Sequence, residues 1–200
     1  MRFGAFFDNG PQTAHLRGSR ALRQLVRPLS RFAFSIRKMQ NRTPGVAMSA
    51  EAKLTQLGIV LPAPAKPSGN YVPFRLHANT LYLSGQGPRE ADGALRVGLV
   101  GGDVSLERAR QDARLVGLGL LATARQALGS LDRVDFVVKL LGMVNAVPGF
   151  GQQPEVVNGC SDLFVEIFGD AGRHARSAVG MGSLPRGITV EIEAILAVKI

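Results

Sequence analysis

Val134-Asp135-Phe136-Val137-Val138-Lys139-Leu140-Leu141-Gly142-Met143-Val144-Asn145-Ala146-Val147 is an apolar run without steady period, broken by only two charged residues. Strict alternation would mark a strand wet on one face, and a helix would show an apolar stripe every three or four residues. This run shows neither, as a strand in the interior of a sheet would. It is therefore expected at the sheet centre, and the neighbouring segments are read relative to it.

Upstream, Ser105 can cap a long helix with Glu107 in its first turn. Leu115, Leu118, Leu121 and Ala122 give that helix a buried face as far as about Leu128, and Gly129 stands where a left-handed C-cap belongs. Downstream, Pro154 can open a second helix through Phe168, closed by Gly169. Two more strands follow at about Ala175–Gly182 and Thr189–Lys199.

Nearer the N-terminus, Ser49 can cap a short helix from Ala50 to Leu57, followed by the proline-rich connector Leu61-Pro62-Ala63-Pro64-Ala65-Lys66-Pro67. Tyr71–Leu76 and Thr80–Ser84, joined by His77-Ala78-Asn79, predict a hairpin, and Ala94–Val100 a weaker strand. The order β-β-(β)-α-β-α-β-β predicts an α+β fold, a mixed sheet with both long helices packed on one face. Apolar residues on the opposite face, around Tyr82 and Val138, predict cover by other subunits.

Charge separates the chain into two parts. Residues 1–47 hold nine of the 24 basic side chains and, among acids, only Asp8, leaving 15 basic against 14 acidic groups in the remainder. The body is thus near neutral, which argues against the basic face that nucleic acid demands. Within the extension, Arg17, Arg20, Arg23, Arg27 and Arg31 form one stripe and Leu22, Leu25, Val26 and Leu29 another. Three readings stay open for residues 1–48: a dispensable extension with translation starting at Met48, a transit peptide of an organelle such as the mitochondrion, or a basic surface-binding arm. The default compartment is cytoplasmic, and the domain is expected over residues 49–200. Cys160 is the only cysteine, which excludes an intrachain disulfide. No apolar run is long enough to cross a membrane.

No nucleotide loop, zinc-protease motif or catalytic triad is present, and His15, His77 and His174 are scattered, so neither cofactor nor metal is expected. Candidate chemistry rests on a few polar groups. Arg176 opens a strand, where its guanidinium could grip a carboxylate at two points or instead pair with an acid or meet solvent. Glu191 and Glu193 are two apart in Val190-Glu191-Ile192-Glu193-Ala194, so they share the strand face opposite the apolar residues. Tyr71 could wall a pocket or anchor the core, and Cys160 reads as an inert, partly buried thiol.

Five pieces in order, Gly69-Asn70-Tyr71, Leu83-Ser84-Gly85-Gln86-Gly87-Pro88, Ala175-Arg176-Ser177, Leu184-Pro185-Arg186-Gly187 and Val190-Glu191-Ile192-Glu193-Ala194-Ile195, resemble the Rid/YjgF family signature. Pro154–Gly159 and Gly169–Arg176 further resemble its longer, chorismate-mutase-like branch, which carries an endoribonuclease (L-PSP) label. The resemblance implies a chorismate-mutase-like fold, a homotrimer with clefts between subunits, and hydrolysis of enamines and imines to 2-oxo acids and ammonia. It assigns Arg176 to the substrate carboxylate, Glu191 to the reacting carbon and its water, Tyr71 to the cleft wall, and Gly85 to a backbone contact. This chain departs from the family at Asn70, where proline is usual, and at Ala178, where cysteine is common. The alternatives are a non-catalytic trimer that binds small carboxylates or acts as a chaperone or regulator, and an endoribonuclease, to which a near-neutral body with few aromatics lends little support.

Overall fold

A computed structural model describes residues 48–199. The expectations for the basic extension lie outside the described residues. Helix α1 (Ala50–Gln56) starts at Ser49, whose hydroxyl accepts from the Ala52 N–H. Its Glu51 carboxylate accepts from the Leu131 N–H at 2.9 Å, tying α1 to the turn before the third strand. Strands β1 (Phe74–His77) and β2 (Thr80–Gln86) form the expected hairpin, with β1 beginning three residues later than the sequence suggests. Helix α2 (Leu106–Leu128) is capped by Ser105 and ends at Gly129 with φ +80°, as read from the sequence. Strand β3 (Val134–Asn145), helix α3 (Gln153–Phe168), strand β4 (Ala175–Met181) and strand β5 (Val190–Val198) complete the fold.

The five strands form one sheet in the order β1-β2-β5-β3-β4, with only the β3–β4 pair parallel. Two expectations are corrected here. The central strand is β5, with β3 beside it. Ala94–Val100 is not a sheet strand: it makes isolated bridges at Leu95, Val97 and Val100, and Gly98 at φ +136° breaks any regular pairing.

Both long helices cover one face, burying Leu81, Leu83, Leu140, Val144, Ile192, Ala194 and Leu196 under Val116, Leu120, Val157 and Phe164. The register turns Tyr82, Phe136 and Val179 to the other face, where all three are exposed. The helices meet closely because each contributes a glycine. A Cβ on Gly159 would collide with the Arg110 carbonyl oxygen of α2, and one on Gly117 would lie 2.9 Å from Leu163 Cδ2. Gly159→Ala must push the helices apart, so it is expected to cost about 1–3 kcal/mol, read as a lower midpoint in thermal unfolding.

Candidate active site

Between Leu83 and Gln86 the β2–β5 ladder shifts register, leaving an extra residue at Ser84–Gly85. Such a bulge re-aims side chains at a sheet edge. Ser84 is held from the other side, its N–H donating to Pro73 O at 3.0 Å and its hydroxyl to Val72 O at 2.7 Å. Gly85 then lies directly against Glu191: a Cβ there would strike the carboxylate and stand 3.1 Å from its Cδ. The missing side chain is what makes room for Glu191. The family resemblance implies a backbone contact at Gly85, and the structure shows this steric role.

Glu191 and Glu193 face a cleft of about 550 Å³ with Tyr71, Gly85 and Arg186 among its walls. Burial, reinforced by the neighbouring Glu193 charge, holds the Glu191 carboxyl above its usual range. Tyr71 is half exposed, and its phenol oxygen accepts a long 3.4 Å bond from the Ser68 N–H. Hydrogen bonding from Ser68 lowers its pKa, against burial and the Glu191 charge, which raise it. Arg186 enters the cleft from a backbone at φ +59°, a left-handed conformation that is uncommon outside glycine.

Arg176 is not in this cleft. In register with Leu140 of the buried face, it lies over α3, where one terminal nitrogen donates to Asn158 Oδ1 at 2.8 Å and to Ser161 Oγ at 2.9 Å. Glu191 is in register with Met143 and turns to the opposite face. Within one chain, therefore, Tyr71, Gly85 and Glu191 meet, and Arg176 stands apart from them. Among the described residues no carboxylate forms a salt bridge with it. Cys160 is fully buried, and that burial pushes its thiol pKa far up, so it is no nucleophile.

Comparison with known proteins bears on the same residues. The model of the family described as "YjgF/chorismate_mutase-like, putative endoribonuclease" matches residues 51–188. The chain belongs to the YjgF family. "Protein TCP17" of Trypanosoma cruzi is 42% identical over 146 residues, covering 72% of this chain and 91% of that one. A crystal structure of the Agrobacterium tumefaciens protein Atu1372, described as of unknown function, is 44% identical with a TM-score of 0.68, covering 76% of this chain and 92% of that one. A "putative endoribonuclease" from Shewanella oneidensis is 31% identical with a TM-score of 0.72, covering 75% and 99%. The stretch matched to the YjgF family contains Tyr71, Gly85 and Arg176 and stops three residues before Glu191. Glu191 is thus placed in the cleft by geometry alone.

Asn158, Ser161 and His174 escaped the sequence reading, which noted His174 only as one of three scattered histidines. A signal existed: Asn158 and Ser161 are three apart on one helix and so share a face. Arg186, Arg89 and Lys66 also border the cleft, carried there by loops without periodic pattern. Among the described residues, no group of three His, Cys, Asp or Glu side chains is placed to hold a metal ion, and no helix is long and apolar enough to cross a membrane.

Proposed function

We propose that this YjgF-family chain is an enamine/imine deaminase whose cleft is completed by Arg176 of a second copy, in a homotrimer. The observation that carries this reading is a half-buried carboxylate of raised proton affinity, Glu191, facing an open cleft beside Tyr71. A general base needs a pKa near the working pH, and burial moves Glu191 in that direction. The guanidinium of Arg176, which has no carboxylate partner among the described residues, supplies the second element. The exposed sheet face with Tyr82, Phe136 and Val179 offers the surface over which copies would meet.

In this mechanism Arg176 grips the substrate carboxylate through two parallel N–H bonds. Glu191 takes a proton from a water as its oxygen attacks the imine carbon, forming the C–O bond. That proton passes to the nitrogen to give a carbinolamine. The carbinol hydroxyl then yields its proton, through Glu191, to the same nitrogen as the carbonyl forms, and the C–N bond breaks to release ammonia. The product is a 2-oxo acid. No covalent enzyme intermediate is needed, so alanine at position 178 is compatible with the reaction.

Arg176→Lys keeps the charge and loses the planar fork. Binding of a 2-oxo acid is expected to weaken by ~1.5–3 kcal/mol, about ten- to a hundredfold, measured by calorimetry. Binding unaffected by this change would remove Arg176 from the site. Binding that depends on Arg176, without hydrolysis in the wild type, would leave a carboxylate-binding protein.

A further inference from the structure

A second polar cluster lies outside the cleft, where α3 meets the start of β4. His174 Nδ1 is 2.6 Å from the Gly172 carbonyl oxygen, and its Nε2 is 3.0 Å from Ser161 Oγ. The same Ser161 oxygen accepts from Arg176, which also donates to Asn158. A carbonyl can only accept, so His174 carries its proton on Nδ1, and in the neutral ring Nε2 is then an acceptor. Burial, with the Arg176 charge adding to it and the Gly172 carbonyl opposing, lowers the His174 pKa and so favours that neutral ring. Ser161 must therefore donate to His174 while its lone pair receives the guanidinium. Every hydrogen in the chain has one consistent direction.

The anchors of this chain are rigid. Gly172 is pressed against α3, where a Cβ would lie 2.6 Å from the Phe164 carbonyl carbon and 2.8 Å from Val165 Cα. The His174 ring stands edge-on to Phe164, with centroids 6.3 Å apart and an interplanar angle of 74°. Asn158 and Ser161 occupy both hydrogens of a single guanidinium nitrogen. Nε and the other terminal nitrogen, which together form a two-pronged edge, have no acceptor among the described residues.

We infer that Asn158, Ser161 and His174 are positioning residues for Arg176, holding one of its nitrogens so that the opposite edge of the guanidinium is presented to a carboxylate. This rests on the reading of Arg176 as the carboxylate anchor. A serine–histidine nucleophile is the competing use of the same atoms. Within one chain neither residue borders the cleft, and Ser161 Oγ already commits its hydrogen to His174 and one of its two lone pairs to the Arg176 guanidinium, whose charge draws electron density away from the oxygen. The cluster orients a cation and does not react.

The test is a coupling measurement on the full chain, with pyruvate binding by calorimetry and kcat and KM for 2-iminopropionate generated in the assay. Ser161→Ala, Asn158→Ala and His174→Phe are each expected to raise the pyruvate Kd and the KM about three- to tenfold, with kcat within about twofold. Ser161→Thr, which keeps the hydroxyl, is expected to restore both. In an Arg176→Lys background the same three changes should add nothing further. The inference is overturned if they weaken binding equally in both backgrounds, or leave it unchanged while Arg176→Lys alone weakens it. Pyruvate binding indifferent to Arg176→Lys overturns instead the underlying reading of the site. Should Ser161→Ala not fold, Asn158→Ala decides through the other hydrogen of the same nitrogen.

Discussion

Glu191→Gln is expected to lower imine turnover by about 10²–10⁴ while 2-oxo acid binding changes little, because the amide keeps the shape against Gly85 but cannot take a proton from water. The pH dependence follows from the same group. Burial raises the folded pKa of Glu191 above that of an ordinary glutamate, and in the proposed reaction the working form is the carboxylate. Activity should fall as pH drops through that raised value, an acid limb lying above the usual glutamate range and absent from Glu191→Gln. A limb that survives the substitution would assign the base to another residue. Mixing Glu191→Gln with Arg176→Lys subunits gives a further check. If each cleft takes Glu191 from one copy and Arg176 from another, random assembly rebuilds ~25% of clefts with both residues intact, whereas a site within one chain rebuilds none.

Asp112→Ala is expected to be the most destabilising of the changes considered. The Asp112 side chain is fully buried in α2, accepting from Arg96 at 2.9 Å and from the Thr189 hydroxyl at 2.7 Å. Arg96 also pairs with Glu90. Removing the carboxylate leaves part of the guanidinium and a buried hydroxyl without their acceptor, which costs about 3–5 kcal/mol for a broken buried pair. For a domain of this size the melting temperature should fall by roughly 10 °C or more. Asp112→Asn, which keeps the size and an acceptor oxygen, should fall between. The effect reaches the cleft as well. The Thr189 N–H donates to Arg96 O and the Gly98 N–H to Gly187 O, so this network fixes the loop against Ile188 and hence the entry to β5. A variant as stable as wild type would show that the ion pair breaks even against its own desolvation.

What could be read from the sequence was local. Ser105, Gly129 and Gly169 mark helix ends because capping depends on one or two residues, and the structure ends the helices there. The alternation Val190-Glu191-Ile192-Glu193 correctly separated a buried face from an acidic one. The misplaced sheet centre has a different origin. The apolar character of Val134–Asn145 shows that β3 is interior, but β5 reaches its place between β2 and β3 through pairings distant along the chain. Ala94–Val100 looked like a strand because side-chain propensity does not register a glycine at φ +136°. The candidate site divides in the same way. Tyr71 and Glu191 were singled out by local pattern and Gly85 by the family resemblance, and the three line one cleft. The side of the sheet to which Arg176 turns depends on the register of a short parallel edge strand, which no local pattern encodes.

The central place of β5 also bears on how the protein is made. In synthesis it leaves the ribosome after every other described element, yet it joins the β1–β2 hairpin to the β3–β4 pair. Until Val190–Val198 emerges, the nascent chain can form at most two half-sheets whose facing edges are open and whose helices have no complete surface to cover. Such edges recruit other strands, and a chaperone that shields them must stay bound until translation of this segment is complete. A ribosome that stalls shortly before codon 190 would therefore release a product containing most of the apolar core and no means of closing it.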